Sequence, residues 1–345
     1  MEPRGTLFLY RQDRLISRIR HLMYGWRFGR KVGINTVMLW LPTSKKYIPD
    51  DGHDFDVNSL FDVYALHSNP AFDDLSLVYG ANPIRSDLPV VKDVLTLDPT
   101  RSAETARAEL FRHGRHFISN DLVGYLFENE KRADVLSDLG GLFKSLPIHE
   151  KLSDRLHVLN KELGGQPYTI VHIRRGDVIR VLRNNIVRNL VGHDDMLQLL
   201  KRTAPLELYV RAATGSDFES GPLVVSSDDP DIAAQFKQKM GNRDCRSLSD
   251  IEFFGSKIQK DFFDFLVFVG AKKIIGTRAS TYGKYASIFG KSTFVDVEFK
   301  PTPEQLATFF DEEVAFDLPV SREILERTKA TLLDLNDKMN SGQFP

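Results

Sequence analysis

A regular alternation of predicted strands and helices over residues 168–298 constrains the fold of this 345-residue chain most strongly. Apolar runs typical of buried strands occupy 168–174, 222–227, 273–277 and 293–298. Amphipathic segments typical of helices occupy about 194–202, 230–240, 258–269 and 281–289. Strands joined by helical crossovers pair in parallel, so this part of the chain is predicted to form a doubly wound α/β sheet.

The N-terminal region opens with the same alternation. A strand-like run covers 7–10, apolar residues at helical spacing follow from Leu15 to Trp26, and 36–41 has the composition of a buried strand. A further amphipathic helix at about 152–163 ends at Gly164-Gly165, a typical C-terminal helix signal. The region therefore begins as a β-α-β unit.

The length predicts two domains, because one hydrophobic core seldom organises so many residues. The predicted division is an N-terminal α/β domain at 1–163, a C-terminal Rossmann-like domain at 164–300, and a tail at 301–345. That tail has two helical segments, at 303–311 and 320–338.

Composition excludes several classes of function. Lys and Arg number 46 and Asp and Glu 47, so the net charge of −1 argues against a protein that coats nucleic acid. The single cysteine, Cys245, permits no internal disulfide and favours a reducing compartment. No run of about 18 apolar residues occurs and the N-terminal apolar run is too short for a signal peptide, which predicts a cytoplasmic protein and leaves peripheral membrane contact open.

The hexapeptide from His172 to Asp177 is the strongest candidate for a binding site. It follows an apolar strand directly and contains Arg174, Arg175 and Gly176. Guanidinium groups bind phosphate oxygens in pairs, and ligands of open α/β sheets bind at the carboxyl ends of strands. The alternative is an ion-pair cluster in which Asp177 neutralises an adjacent arginine.

Two further strand ends carry polar residues. Ser227-Asp228-Asp229-Pro230 ends one strand, and Asp229 as the N-cap before Pro230 explains that pair without a ligand. The turn 276–283 is small and hydroxyl-rich, and its backbone amides at a helix N-terminus suit an anion. A plain helix cap by Ser280 is the competing interpretation.

The segment after the hexapeptide is basic. Arg180, Arg183 and Arg188 occur there, and no acid lies between Asp177 and Asp194. This predicts local positive charge for a diphosphate or an anionic acceptor, unless the segment is a solvated loop. The sequence contains no P-loop and no G-x-G-x-x-G fingerprint, and its histidines show no familiar metal pattern.

Together, these motifs resemble the fucosyltransferase group that includes α1,6-fucosyltransferases, rhizobial Nod-factor fucosyltransferases and protein O-fucosyltransferases. The resemblance covers about 8–41 and 168–297, including the segment 26–33 of the first helix. By resemblance, Arg174 binds the β-phosphate of GDP-fucose, His172 contacts the nucleotide, Asp264 binds guanine, and Ser280 lies in the phosphate-binding turn. The implied donor-site residues are His172, Arg174, Arg175, Gly176, Asp228, Asp229, Asp264, Ser280, Thr281 and Tyr282.

The resemblance implies a fold of the GT-B type, with two Rossmann-like domains facing a cleft and the acceptor on the N-terminal side. It also implies inverting transfer of fucose to a glycan or glycoconjugate, without a metal ion or other cofactor. Arg174 would stabilise the leaving diphosphate. Alternatives are transfer from another GDP-sugar and a catalytically inert protein that binds nucleotides or glycans.

Two departures from the family pattern concern the chemistry. The segment 10–14 stands where the family has a glycine-rich loop, and 178–193 lacks the carboxylate expected as the catalytic base. Asp13 and Asp177 are the candidates for a general base.

Overall fold

The structure is a computed structural model that describes most of the chain. The described residues are 5–11, 15–40, 56–79, 88–95, 101–119, 122–174, 176–192, 196, 200, 203–215, 221–277 and 280–341. The chain forms two compact units. The first comprises Met1–Gly165, Phe253–Gly270 and Ile288–Lys291, and the second comprises Gln166–Glu252, Ala271–Ser287 and Ser292–Pro345.

The first unit contains a four-stranded parallel sheet in the order β3-β2-β1-β4. Its strands are β1 (Thr6–Tyr10), β2 (Asn35–Trp40), β3 (Leu75–Tyr79) and β4 (His116–Ser119). Its helices are α1 (Leu15–Val32), α2 (Val63–Ser68), α3 (Val91–Val94), α4 (Ala103–His113), α5 (Arg132–Ser145), α6 (Glu150–Glu162) and α10 (Lys257–Gly270). The predicted β-α-β opening is confirmed.

Helix α1 is buried on more than one face, which its apolar spacing did not predict. Arg18 is completely buried, with its guanidinium carbon 5.9 Å from the ring centre of Trp40. Arg27 is also buried and forms ion pairs with Glu130 and with Asp138 of α5. An apolar stripe in the sequence identifies one buried face of α1, but α5 covers a second side of the helix. Asp138 of α5 and Glu130, just before α5, supply the carboxylates that pair with the buried Arg27.

The second unit contains a five-stranded parallel sheet in the order β7-β6-β5-β8-β9. Its strands are β5 (Thr169–Ile173), β6 (Leu223–Ser227), β7 (Cys245–Ser247), β8 (Lys273–Thr277) and β9 (Thr293–Val297). Its helices are α7 (Gly176–Val187), α8 (Leu206–Thr214), α9 (Pro230–Met240), α11 (Thr281–Gly290, whose last three residues belong to the first unit), α12 (Pro303–Phe309) and α13 (Arg322–Asn340). The predicted doubly wound parallel sheet is confirmed.

The C-terminal helices pack against α7. Leu306 of α12 and Leu332 of α13 share one buried cluster with Leu182 and Ile186 of α7. A single π-helical turn, Phe310–Val314, follows α12. The second unit therefore includes the C-terminal helices. The division of the chain into domains at residues 163 and 300 remains a prediction.

Sequence patterns located most elements of the second unit but missed three. Helices α7 and α8 and the short strand β7 were not predicted, and most of the helix predicted at 194–202 lies outside the described residues. Helix α7 shows that 176–187 is not a solvated loop. Among the described residues, none of the helices has the length and apolar character needed to cross a bilayer.

Candidate functional site

The candidate site lies where the strand order of the second sheet reverses direction. The chain leaves β5 toward β6 and β7 on one side, and later returns to β8 and β9 on the other. His172 is in register with Ser226 of β6 and with Gly276 of β8, so the three strands end at the same edge. A reversal of this kind opens a crevice at the carboxyl ends of the strands, here between β5 and β8.

His172 and Ser280 meet at this crevice. The Nε2 atom of His172 lies 3.1 Å from the Oγ atom of Ser280, and both side chains are buried. The ring of Tyr282 stacks on the His172 ring, with 5.8 Å between the ring centres. His172 of the hexapeptide thus contacts two residues of the turn, Ser280 and Tyr282, which follow it in the sequence by more than 100 positions.

Ser280 also marks the start of helix α11. Its carbonyl accepts a hydrogen bond from the amide of Lys284 (3.3 Å), so Ser280 is in the N-cap position. Its hydroxyl is directed to His172. The first amides of α11, starting at Thr281, have no acceptor within the helix and carry the positive end of its dipole. This helix end is suited to a phosphate oxygen.

Two glycines allow close packing beneath the site. A Cβ atom at Gly276 would lie 2.6 Å from the Phe294 ring, and one at Gly283 would lie 3.0 Å from the same ring. At Gly283 it would also approach the His172 ring, at 3.7 Å. A Cβ atom at Gly276 would therefore force the Phe294 ring to move, whereas one at Gly283 would need the ring to give way only slightly.

Arg174 is the first residue after β5 and is half-buried. Its amide donates a hydrogen bond to the Thr277 hydroxyl (2.8 Å). That hydroxyl also lies 2.8 Å from the Tyr209 hydroxyl. Neither Thr277 nor Tyr209 was predicted as a site residue. Thr277 lay within the hydroxyl-rich turn, whereas nothing in the sequence around Tyr209 places it near a strand 68 residues away.

Asp229 of the second predicted motif caps helix α9. The Asp229 carboxylate accepts a hydrogen bond from the amide of Asp231 (3.0 Å), and Pro230 occupies the first position of α9. The amide of Asp229 donates to the Ser227 hydroxyl (3.1 Å). The N-cap interpretation is confirmed, while Asp228 is exposed next to it.

Of the predicted basic residues, Arg180 and Arg183 lie on helix α7, and Arg188 directly follows its last residue, Val187. Arg180 and Arg188 are exposed, and Arg183 donates to the backbone carbonyl of Glu313 (3.4 Å). Of the other predicted residues, Arg175 and Asp13 lie outside the described residues. Gly176 and Asp177 begin α7, but the side chain of Asp177 is outside what the structure describes.

Asp264 lies on α10, in the first unit. Burial raises the pKa of its carboxyl to about 6, although an ion pair with Lys260, at 2.5 Å, acts in the opposite direction. A carboxyl whose solvation is poor is prepared to accept hydrogen bonds from a ligand. Within the described part of the chain, no group of three His, Cys, Asp or Glu residues is arranged to hold a metal ion.

Comparison of the whole fold shows which solved structures this chain resembles. No protein-family profile and no curated protein sequence matches the chain. The fucosyltransferase NodZ from Bradyrhizobium matches with a TM-score of 0.51 at 13% identity, over 86% of this chain and 96% of NodZ. POFUT1 in complex with GDP matches with a TM-score of 0.52 at 10% identity, over 87% of this chain and 100% of POFUT1. The chain has the GT-B fold of these fucosyltransferases.

A further NodZ structure, the α1,6-fucosyltransferase soaked with GDP-fucose, matches with a TM-score of 0.51 at 12% identity, over 86% of this chain and 95% of NodZ. The GT-B prediction is confirmed at the level of the fold. Because one fold hosts many activities, the fold does not by itself define the function.

Proposed function

We propose that this protein is a glycosyltransferase that transfers fucose from GDP-fucose to a glycan or glycoconjugate. The observation that carries the proposal is the position of Arg174 and the N-terminus of α11 on either side of the β5–β8 crevice. A cation and a helix N-terminus in this arrangement suit a diphosphate. The fold shared with NodZ and POFUT1 supports the sugar donor.

In the proposed reaction, an acceptor hydroxyl attacks the anomeric carbon of fucose from the face opposite the diphosphate. The new glycosidic bond forms as the bond from the anomeric carbon to the β-phosphate oxygen breaks, and the configuration inverts. Arg174 and the amides at Thr281 and Tyr282 stabilise the charge that develops on GDP. This source of positive charge is the reason for proposing metal-independent transfer.

The remaining predicted residues have the following roles in the proposal. His172 and Ser280 hold the turn against β5 and contact the nucleotide. Asp264 accepts hydrogen bonds from the N–H groups of guanine, which adenine does not offer in that pattern. Asp177 or Asp13 takes the acceptor proton. Arg175, Gly176, Asp228 and Asp229 complete the proposed donor site.

Calorimetric titration tests the donor site. The wild-type protein should bind GDP and GDP-fucose more tightly than UDP, and GDP-mannose indicates how strictly the sugar is selected. Arg174→Ala should weaken GDP binding at least about tenfold, because a charge-assisted contact is lost. Arg322→Ala removes the same charge from an exposed position at the start of α13 and should change GDP binding little.

Asp264→Ala should weaken GDP binding but leave pyrophosphate binding unaffected, since only the contact with the guanine ring is lost. Asp154→Ala removes an exposed carboxylate from α6 and is its matched control. Release of GDP from GDP-fucose in the presence of glycan acceptors then measures turnover. If no guanine nucleotide binds, the proposed donor is wrong; if GDP-fucose binds without any turnover, the protein is a binding protein of the same fold.

A further inference from the structure

The Thr277 hydroxyl occupies a position that links the halves of the site. It lies at the end of β8, is almost completely buried, and has three hydrogen-bond partners. The Oγ1 atom is 2.8 Å from the amide nitrogen of Arg174, 3.2 Å from the carbonyl oxygen of His172, and 2.8 Å from the Tyr209 hydroxyl oxygen. These three partners use the full hydrogen-bonding capacity of the Thr277 hydroxyl group.

The chemistry of the three partners fixes the direction of each bond. A hydroxyl has one hydrogen to donate and two lone pairs to accept with. The Arg174 amide can only donate and the His172 carbonyl can only accept, so the hydrogen of Thr277 points to His172. The second lone pair is then left for the hydrogen of Tyr209, which makes Tyr209 the donor.

The position of this hydroxyl in the sheet explains why a side chain is used. Backbone pairing between β5 and β8 runs from Thr169 to His172, opposite Lys273 to Gly276. Beyond that pair the strands part at the crevice, where the Arg174 amide takes a side-chain acceptor. The hydroxyl thus anchors the Arg174 backbone to β8 while the crevice stays open for a ligand.

Thr277 also contacts the other side of the crevice through its backbone. Its carbonyl accepts a hydrogen bond from the Ser280 amide (3.1 Å). The Ser280 hydroxyl in turn contacts His172, whose carbonyl accepts from Thr277. Thr277 therefore contacts the end of β5 through its side chain and the start of α11 through its backbone. Substitution of the side chain removes the bonds to β5 and to Tyr209 but leaves the backbone bond to Ser280 in place.

We propose that Thr277 is a positioning residue whose hydroxyl, oriented by Tyr209, holds the Arg174 backbone so that the guanidinium meets the diphosphate. This role rests on the proposed function, because its expected consequence is weaker nucleotide binding when the Thr277 hydroxyl is removed. Tyr209 contributes from α8, where its ring is buried in the core of the second unit. A displacement of the Arg174 backbone by a fraction of an ångström weakens a bidentate contact.

Three substitutions distinguish the hydrogen bonds of the Thr277 hydroxyl from the packing of its side chain. Thr277→Val keeps the shape and removes all three hydrogen bonds, whereas Thr277→Ser keeps the hydroxyl. Tyr209→Phe removes one donor and leaves the bonds to Arg174 and His172. Thr328→Val is the matched control, because Thr328 is a buried threonine on α13 whose hydroxyl bonds to the Ile324 carbonyl.

The first measurement is amide hydrogen exchange at Arg174 in ligand-free protein selectively labelled with 15N-arginine. Exchange at Arg174 should accelerate at least about tenfold in Thr277→Val and by less in Tyr209→Phe. Thr277→Ser and Thr328→Val should exchange at close to the wild-type rate. This measurement does not depend on the identity of the ligand.

The second measurement is GDP affinity of the same proteins. We expect Thr277→Val to lose about tenfold, Tyr209→Phe less, and Thr277→Ser and Thr328→Val little. Unchanged exchange at Arg174 in Thr277→Val, or GDP affinity equal to that of wild type, overturns the positioning role. Should Thr277→Val not fold, the same two outcomes in Tyr209→Phe decide it. If the wild type binds no GDP, the proposed function fails, and exchange alone decides whether Thr277 holds Arg174.

Discussion

Asp264 illustrates how burial changes the ionisation of a single side chain. Only 23% of the side chain is exposed, and burial raises its pKa from 3.8 to about 6 despite the contact with Lys260. The carboxyl is therefore ionised at neutral pH under a penalty that the unfolded chain does not have. A residue that lowers stability in this way is a candidate for function, in agreement with its proposed contact to guanine.

This penalty predicts how Asp264→Asn changes stability. Because the folded state binds the proton more tightly, the unfolding free energy of the wild type should fall as pH rises from about 4 to 6, and then level off. Asparagine does not titrate, so the variant should be more stable by about 3 kcal/mol well above pH 6 and gain nothing below pH 4. Urea unfolding at several pH values measures this difference, and a gain that is independent of pH would contradict the assignment.

Helix α5 shows how packing at the scale of one element distinguishes adjacent residues. Gly140 and Gly141 are consecutive, but a Cβ atom at Gly140 would lie 2.8 Å from the backbone carbonyl oxygen of Ile288, whereas at Gly141 it would meet nothing within 4 Å. A backbone atom cannot move aside as a flexible side chain can. A side chain would therefore clash at Gly140 but would fit without a clash at Gly141.

The same alanine substitution at these two glycines should act in opposite directions. Gly141→Ala should stabilise the protein by about 0.5–1 kcal/mol, because alanine favours helix. Gly140→Ala should destabilise it by about 1–3 kcal/mol through overpacking. Thermal unfolding of the two variants beside the wild type provides the comparison, and equal shifts for both would show that α5 does not approach Ile288 as described.

At the scale of the whole molecule, the C-terminal helices belong to the structural support of the site. Helix α7 begins two residues after Arg174 and buries its apolar side against α12 and α13. Leu332 and Leu335 of α13 are completely or almost completely buried there. Distant residues of the chain thus support the helix that follows the proposed donor site.

Leu332→Ala should therefore lower the unfolding free energy by about 2–5 kcal/mol, through the cavity that it leaves. Asp337→Ala, on an exposed position of the same helix, should change it by less than about 0.5 kcal/mol. Urea unfolding of the full chain measures both. Similar small effects would mean that α13 does not contribute to the core.

The amino-acid sequence by itself determined the parallel α/β architecture and the strand ends that carry His172, Arg174 and Ser280. Strand periodicity, glycine signals and strongly charged motifs are local, so they are visible without a structure. Helix α7 was missed because its arginines resembled a solvated basic segment, although Leu182 and Ile186 are buried.

Only the tertiary structure decided which distant side chains meet. The contacts of Thr277 with Arg174 and Tyr209, and the burial of Arg18 and Asp264, depend on neighbours far away in sequence. Hydrogen bonds between strand ends and the solvation of a carboxyl are properties of three-dimensional proximity. A one-dimensional pattern carries no information about them, whereas the packing of strands and helices in the folded chain determines them.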